Sequence, residues 1–287
     1  MTAQPATRSL TAPHGRTITW CEFGDPQGIP VLAAHGSPGS RLQLMPLHDA
    51  ARDAGVRVVV PDRPGFGGTS TAPDHGFHSW DDDAITLLDA LGITRVTLLG
   101  FSGGGGYALA LASRRPARVA RVVLVCGMVP GAPAAALSGR IGVVTLLYRV
   151  SRWAPALAAA MLEGRGPFAR VREANLSAWP EADRIIMTDP DARKLTAADA
   201  EAGLAQGARA GIEDLGRYHR PLPSGLGAVR QPVTLVHGTA DGNVPIGVAR
   251  WAASRLPSAT LVEIAGAGHY FAVTSPRTVV TALLPET

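Results

Sequence analysis

Lysine is almost missing from this chain: Lys194 is the only one among 287 residues. The positive balance, a formal charge of +4 and a pI near 9.6, therefore rests on arginines, and these are scattered among acidic residues. No basic run and no basic–aromatic stripe occurs, so the composition argues against a nucleic-acid partner. Cysteine is nearly as scarce. Cys21 and Cys126 each sit in an apolar run. They are expected to be free, buried and small, with no disulfide framework, which fits a reducing compartment. Long uninterrupted apolar runs are absent too. The richest one, from Ala134 to Leu162, is broken by Arg140, Arg149, Arg152 and Pro155, so no membrane span is expected. Met1 to Arg16 contains Pro5 and Pro13 and no apolar core of a signal peptide. The expectation is a cytoplasmic, soluble protein, monomeric or homodimeric. No metal-ligand cluster stands out, and Gly103–Gly106 lacks the Lys-Ser/Thr ending of a phosphate loop, so neither metal nor cofactor is expected.

What is present is a globular composition, 46% hydrophobic with positive mean hydropathy, and a regular alternation. Strands are predicted at Arg16–Phe23, Val31–Ala34, Val56–Val60, Arg95–Gly100 and Arg121–Cys126. Helices are predicted between them at about Arg41–Ala54, at Ser79–Leu91 with Ser79 as N-cap, and after Ser102. Strands alternating with helices at this pitch imply βαβ units and a parallel sheet. The alternation stops at about Gly127 and resumes at Val233–His237, a helix Pro245–Leu256, a strand Thr260–Ile264 and a last helix from about Ser275. Between lie helical candidates only, at Ala134–Val150, Pro155–Leu162, Pro167–Ala178, Pro180–Met187 and Thr196–Gly211. Residues 1–127 and 231–287 are thus expected to form one core domain, with 128–230 inserted as a helical lid.

The chemistry concentrates at Gly100-Phe101-Ser102-Gly103-Gly104, a G-x-S-x-G turn between a buried strand and a helix. A serine at that apex projects its hydroxyl clear of the sheet. The following helix aims free N–H groups at it. Two further loops follow predicted strands: His237-Gly-Thr-Ala-Asp241 and Gly266-Ala-Gly-His269-Tyr270. A serine hydroxyl needs a base within hydrogen-bond reach, and that base needs a carboxylate to fix its tautomer. Ser102 is therefore the candidate nucleophile, His269 the base and Asp241 its orienter. The strand before the lid ends Val125-Cys126-Gly127-Met128-Val129 without a carboxylate, which favours Asp241 as the acid. Backbone N–H groups of Gly103 and of Ser37, in His35-Gly36-Ser37-Pro38-Gly39, are the candidate oxyanion donors; Pro38 has no N–H to offer. His35 and His237 are read as structural, and Asp62 and Arg63 as braces for the loop Pro64–Ser70.

These motifs, together with Asp62-Arg63-Pro64-Gly65-Phe66-Gly67, make the chain resemble an α/β-hydrolase-fold serine hydrolase over nearly its whole length. They resemble the branch of bacterial esterases, C–C bond hydrolases and proline-iminopeptidase-like enzymes. Epoxide hydrolases and haloalkane dehalogenases of that superfamily carry an aspartate nucleophile, and Ser102 argues against both. Four glycines after Ser102 depart from the usual pair. The resemblance implies a mostly parallel sheet with helices on both faces, and hydrolysis of an apolar ester or related acyl substrate through an acyl-enzyme. Its rivals are a cofactor-free cyclase, lyase or acyltransferase, a non-hydrolytic ligand receptor, and a peptidase of the iminopeptidase kind. Lid residues Leu146, Leu147, Trp153, Leu157, Met161, Leu162, Phe168 and Trp179, with Tyr270, are candidates to line an apolar acyl pocket. Trp153, Leu157, Met161, Phe168 and Tyr270 are named as the substrate-binding set. Glu173, Glu181 and Glu213 are read as solvated helix faces that a peptidase would instead turn on a substrate amine.

Overall fold

The computed structural model describes residues 5–13, 15–72, 76–168 and 179–285. Its centre is an eight-stranded sheet of β1 (Arg8–Thr11), β2 (Thr17–Gly24), β3 (Ile29–Ala34), β4 (Val56–Pro61), β5 (Val96–Phe101), β6 (Val119–Val125), β7 (Val233–Gly238) and β8 (Ala259–Ile264). The spatial order is β1-β2-β4-β3-β5-β6-β7-β8. β2 runs antiparallel to both its neighbours, β1 and β4, and every other pair is parallel.

The helices in chain order are α1 (His48–Asp53), α2 (Phe77–Ala90), α3 (Gly105–Arg114), α4 (Gly142–Trp153), α5 (Pro155–Glu163), α6 (Glu181–Ile186), α7 (Pro190–Gly203), α8 (Arg209–Arg217), α9 (Ile246–Ala253), α10 (Phe271–Thr274) and α11 (Pro276–Leu283). Strand residues alternate between two cores, as the period of two requires. Leu98, Val122 and Leu235 pack with Leu87, Leu109 and Val248 on one face. Leu99, Val123 and Val236 pack with Leu47, Val279 and Leu283 on the other. A sheet buried on both faces reads as continuous apolar runs, and β4, β5 and β7 do so.

Between β6 and β7 the described residues form only helices and short 3-10 turns. Two small apolar clusters lie within this segment, one around Ala158, Ile212 and Leu215, the other around Ile186, Met187 and Ala192. No helix among the described residues is long and apolar enough to cross a membrane.

Several boundaries differ from the expectations. The helix expected over Arg41–Ala54 shrinks to α1, preceded by a 3-10 turn Met45–Leu47. Pro46 lacks an N–H, and the Ser40 and Arg41 N–H groups are bonded to Asp199 and Asp62 side chains instead of to a helix. α2 starts at Phe77 after Gly76, so Ser79 is not its N-cap. Asp81 and Asp83 point inward from α2, with Arg114 and Arg16 as their ion partners. The Ala134–Val150 helix is split at Gly139, whose φ is +86°. Thr196–Gly211 is split at Gly207, φ +85°, into the ends of α7 and α8. Residues 169–178 of the expected helix Pro167–Ala178 lie outside the described residues. β1 was not expected at all; it is four residues long and mostly exposed, so it has no hydrophobic pattern to read.

Candidate active site

β5 ends at Phe101 and α3 begins at Gly105, with Ser102 on the turn between them at φ +49°. A non-glycine residue there is strained, and the tight packing around it keeps it in place. The four glycines are explained by what surrounds them. A Cβ on Gly103 would lie 3.0 Å from the Ser37 nitrogen, one on Gly104 1.9 Å from the Ala34 carbonyl oxygen, one on Gly105 2.5 Å from the Met128 carbonyl oxygen, and one on Gly106 2.8 Å from the Tyr218 hydroxyl. The run is a set of close approaches on four sides, to β3, to the Ser37 turn, to the chain leaving β6 and to the residue after α8.

β7 lies beside β6 and β8 beside β7, all parallel, and their outgoing loops bring Asp241 and His269 to the same rim. His269 Nε2 is 3.0 Å from Ser102 Oγ, and His269 Nδ1 is 2.8 Å from Asp241 Oδ2. The other Asp241 oxygen, Oδ1, accepts the N–H groups of Asn243 and Val244, each at 2.8 Å. Burial pushes the Asp241 carboxyl up, but His269 and His237 beside it outweigh that and hold it well below the usual carboxylate range. His269 is likewise buried, which disfavours its cation, yet Asp241 and then Asp183 raise it above its ordinary value. Such opposed shifts in a hydrogen-bonded pair at a cavity mark a site suited to proton transfer.

His35 and His237 take no part in that line. His35 is fully buried, donates from Nδ1 to the Gly36 carbonyl (2.8 Å) and accepts the Arg63 N–H at Nε2 (3.0 Å). Burial and then Arg63 keep it neutral, its pKa well below ordinary. His237 Nε2 donates to the Val244 carbonyl at 2.7 Å and lies 3.4 Å from Asp241 Oδ2. Asp62 braces its loop as expected, accepting the N–H groups of Gly68 and Arg41 and pairing with the Arg41 guanidinium. Arg63 turns the other way. It is fully buried between the rings of Phe66 and Tyr107, pairs with Asp214, and donates to Gly36 O (2.8 Å) and Ser37 Oγ (2.6 Å). Among the described residues, Cys126, His237 and Asp241 bring ligand-type atoms within 4.8 Å of one another. The His237 and Asp241 atoms of that group are already engaged in the hydrogen bonds above.

A cavity of about 280 Å³ opens over Ser102 and His269. Of the residues expected to line it, Leu147, Leu162, Trp179 and Tyr270 do, with the Trp179 and Tyr270 rings stacked 5.2 Å apart. Trp153, Leu157, Met161, Phe168 and Leu146 do not. Trp153 is 79% exposed and Leu146 also faces outward, because the inward stripe of α4 runs through Val144, Leu147 and Tyr148; Leu157, on α5, is exposed as well. Sequence reasoning missed Val144, Leu195, Leu215 and Val273 as lining residues, and Gln43 and Asp199 as polar groups at the same wall. Glu181 is exposed and Glu213 is paired with Arg209, neither lining the cavity; Glu173 lies outside the described residues.

A family model described as alpha/beta hydrolase fold matches residues 29–276. The chain is 34% identical over 227 residues to a pimeloyl-[acyl-carrier protein] methyl ester esterase of Aromatoleum aromaticum, a match covering 75% of this chain and 81% of the relative. It is 44% identical over 103 residues to a 2-hydroxymuconate semialdehyde hydrolase of Pseudomonas putida; that match covers 34% of this chain and 36% of the relative's length. Among solved structures, an esterase from Rhodococcus sp. ECU1013 superposes with a TM-score of 0.71 at 22% identity, over 97% of this chain and 99% of the other, a likeness of fold.

Proposed function

The chain belongs to the alpha/beta hydrolase fold family, and from that premise we propose that it is a serine hydrolase that cleaves a carboxylic ester, or a related acyl substrate of apolar character, through an acyl-enzyme. The observation that carries the reading is the unbroken hydrogen-bonded line Ser102 Oγ, His269 Nε2, His269 Nδ1, Asp241 Oδ2 at the mouth of a mainly apolar cavity. Ser102 Oγ attacks the substrate carbonyl while His269 Nε2 takes its proton. Asp241 stabilises the imidazolium and keeps the Nδ1–H tautomer. The oxyanion receives the N–H groups of Gly103 and Ser37. In support, Gly103 packs directly against Ser37, whose own N–H makes no hydrogen bond among the described residues. His269 then returns its proton to the leaving oxygen, and a water activated by the same nitrogen hydrolyses the acyl-enzyme. No metal or cofactor is required by this sequence of steps.

The helical segment 128–230 supplies much of the apolar wall, through Val144, Leu147, Leu162, Leu195 and Leu215. That supports an acyl group, or an alcohol, of apolar character. The esterase relative adds support from a match over three quarters of this chain. The reading is tested with p-nitrophenyl butyrate and a fluorophosphonate probe. The expected result is turnover, together with a single phosphonyl adduct on Ser102 by peptide mass spectrometry. Binding without turnover, or an adduct on another residue, overturns it.

A further inference from the structure

The last three helices of the inserted segment each drive one aspartate down into the loops that carry the site. From α6, Asp183 is fully buried, and its oxygens accept the backbone N–H groups of His269 (2.9 Å) and Tyr270 (2.8 Å). From α7, Asp199 accepts the N–H and the hydroxyl of Ser40, both at 2.8 Å, and the Gln43 amide at 2.9 Å. The Gln43 oxygen in turn accepts the Gly36 N–H. From α8, Asp214 is fully buried and accepts from Ser37 Oγ, the Tyr107 hydroxyl and the Arg63 guanidinium. None of the three bonds to Ser102.

Buried carboxylates are costly, and a well-packed apolar side chain often stabilises as well or better. Three of them in a segment whose described residues form two small apolar clusters of their own are therefore poorly explained as glue. What a carboxyl acceptor gives that a leucine does not is direction: it fixes the N–H and O–H groups of a loop in one orientation. The loops so fixed are the one bearing His269 and the one bearing Gly36 and Ser37. The fit is close, since a Cβ on Gly203, four residues after Asp199, would lie 2.5 Å from the Gly39 carbonyl oxygen.

We infer that Asp183, Asp199 and Asp214 are positioning residues that hold the His269 loop and the Gly36–Gln43 loop in the geometry acyl transfer needs. The helical segment is then a structural part of the active site and not a separable cover. The inference rests on the serine-hydrolase reading above. Asp183 carries a second consequence. The groups facing His269 are Asp241 and Ser102 in the hydrogen-bonded line, the rings of Phe101 and Tyr270, and Asp183 from the inserted segment, with Cys126 and His237 behind Asp241. Burial disfavours the imidazolium; Asp241 chiefly, and Asp183 after it, restore it.

The test compares wild type with D183N, D199N and D214N. Active sites are titrated with the fluorophosphonate, and kcat and KM on p-nitrophenyl butyrate are referred to titrated sites from pH 5 to 9. Asparagine keeps the shape but places an NH2 group where the loop needs an acceptor. Each variant should lose at least about tenfold in kcat with KM within about threefold, as small misplacements of reacting groups do. The acid limb of the D183N profile should move to lower pH, while D199N and D214N, which touch the other loop, leave it in place. Variants whose kcat per titrated site equals wild type overturn the inference, even where their melting temperature falls. If D214N does not accumulate as folded protein, because Arg63 has lost its partner, D183N and D199N decide the matter. A wild type that neither turns over nor takes an adduct at Ser102 removes the hydrolase reading itself; an active wild type with unaffected variants removes this inference alone.

Discussion

Asp241 divides its carboxylate between two tasks: Oδ2 meets His269 Nδ1 at 2.8 Å, while Oδ1 receives the N–H groups of Asn243 and Val244. One oxygen orients the imidazole and the other ties the loop that carries it. Asp241→Asn separates the tasks. The amide oxygen still accepts from the loop, whereas the amide nitrogen presents a donor to Nδ1 and favours the wrong tautomer. We expect kcat to fall at least about a hundredfold, about 2.7 kcal/mol of barrier, with KM and the melting temperature little changed. Steady-state kinetics beside a thermal melt check it, and a variant within a few-fold of wild type would place the orienting acid elsewhere.

The pH dependence follows from His269. In the proposed mechanism its neutral form is the base, and its folded pKa lies above the ordinary 6.5 because Asp241 and Asp183 outweigh burial. Activity is therefore lost as pH falls through that raised value. The acid limb of kcat/KM should have its midpoint above about 6.5. In Asp241→Asn, residual activity should show a midpoint shifted to lower pH. A wild-type limb near pH 5 would contradict the pairing.

Gly104 faces the Ala34 carbonyl oxygen at a distance no side chain tolerates, whereas nothing lies within 4 Å of a Cβ on Gly142 at the start of α4. Gly104→Ala should cost about 3 kcal/mol or more of stability, because the sheet strand cannot retreat. Gly142→Ala should be neutral or stabilise by about 0.5 kcal/mol. Urea unfolding of the two variants gives the comparison, and equal midpoints would refute it.

Chain-length selectivity should respond to Leu162, which lines the cavity, and not to Trp153, which is 79% exposed. Leu162→Trp is expected to lower kcat/KM for p-nitrophenyl octanoate relative to acetate at least about tenfold. Trp153→Ala should leave that ratio within about twofold, since one or two methylenes of contact are worth about 1–3 kcal/mol only where they touch substrate. The reverse pattern would mean that the cavity wall lies on the other face of α4.

The motif at Ser102 was legible because its requirements are local. A strand, a tight turn and a helix have to meet within five residues, and the glycines and the apolar run of β5 record that directly. The order of the sheet elements was legible for the same reason: buried parallel strands are short continuous apolar runs. Asp241 could be named because it sits just after such a strand, and His269 because it lies in a Gly-rich loop after β8, a half-exposed edge strand. β1 left no trace, being a short exposed edge, and the breaks at Gly139 and Gly207 read as ordinary helix glycines.

What the sequence could not settle is which face of a lid helix turns inward. α4 offers Leu146, Leu147 and Trp153 alike, and only its packing on α5 and α8 decides that Leu147 meets the cavity and Trp153 meets water. The buried aspartates of the inserted segment were hidden for a deeper reason. Asp183, Asp199 and Asp214 look like the solvated acids of amphipathic helices, and their partners lie far along the chain, 159 residues away from Asp199 to Ser40 and 177 from Asp214 to Ser37. An acid that faces water and one that holds a distant N–H have the same local sequence; the difference exists only once the fold has brought the second group within 3 Å.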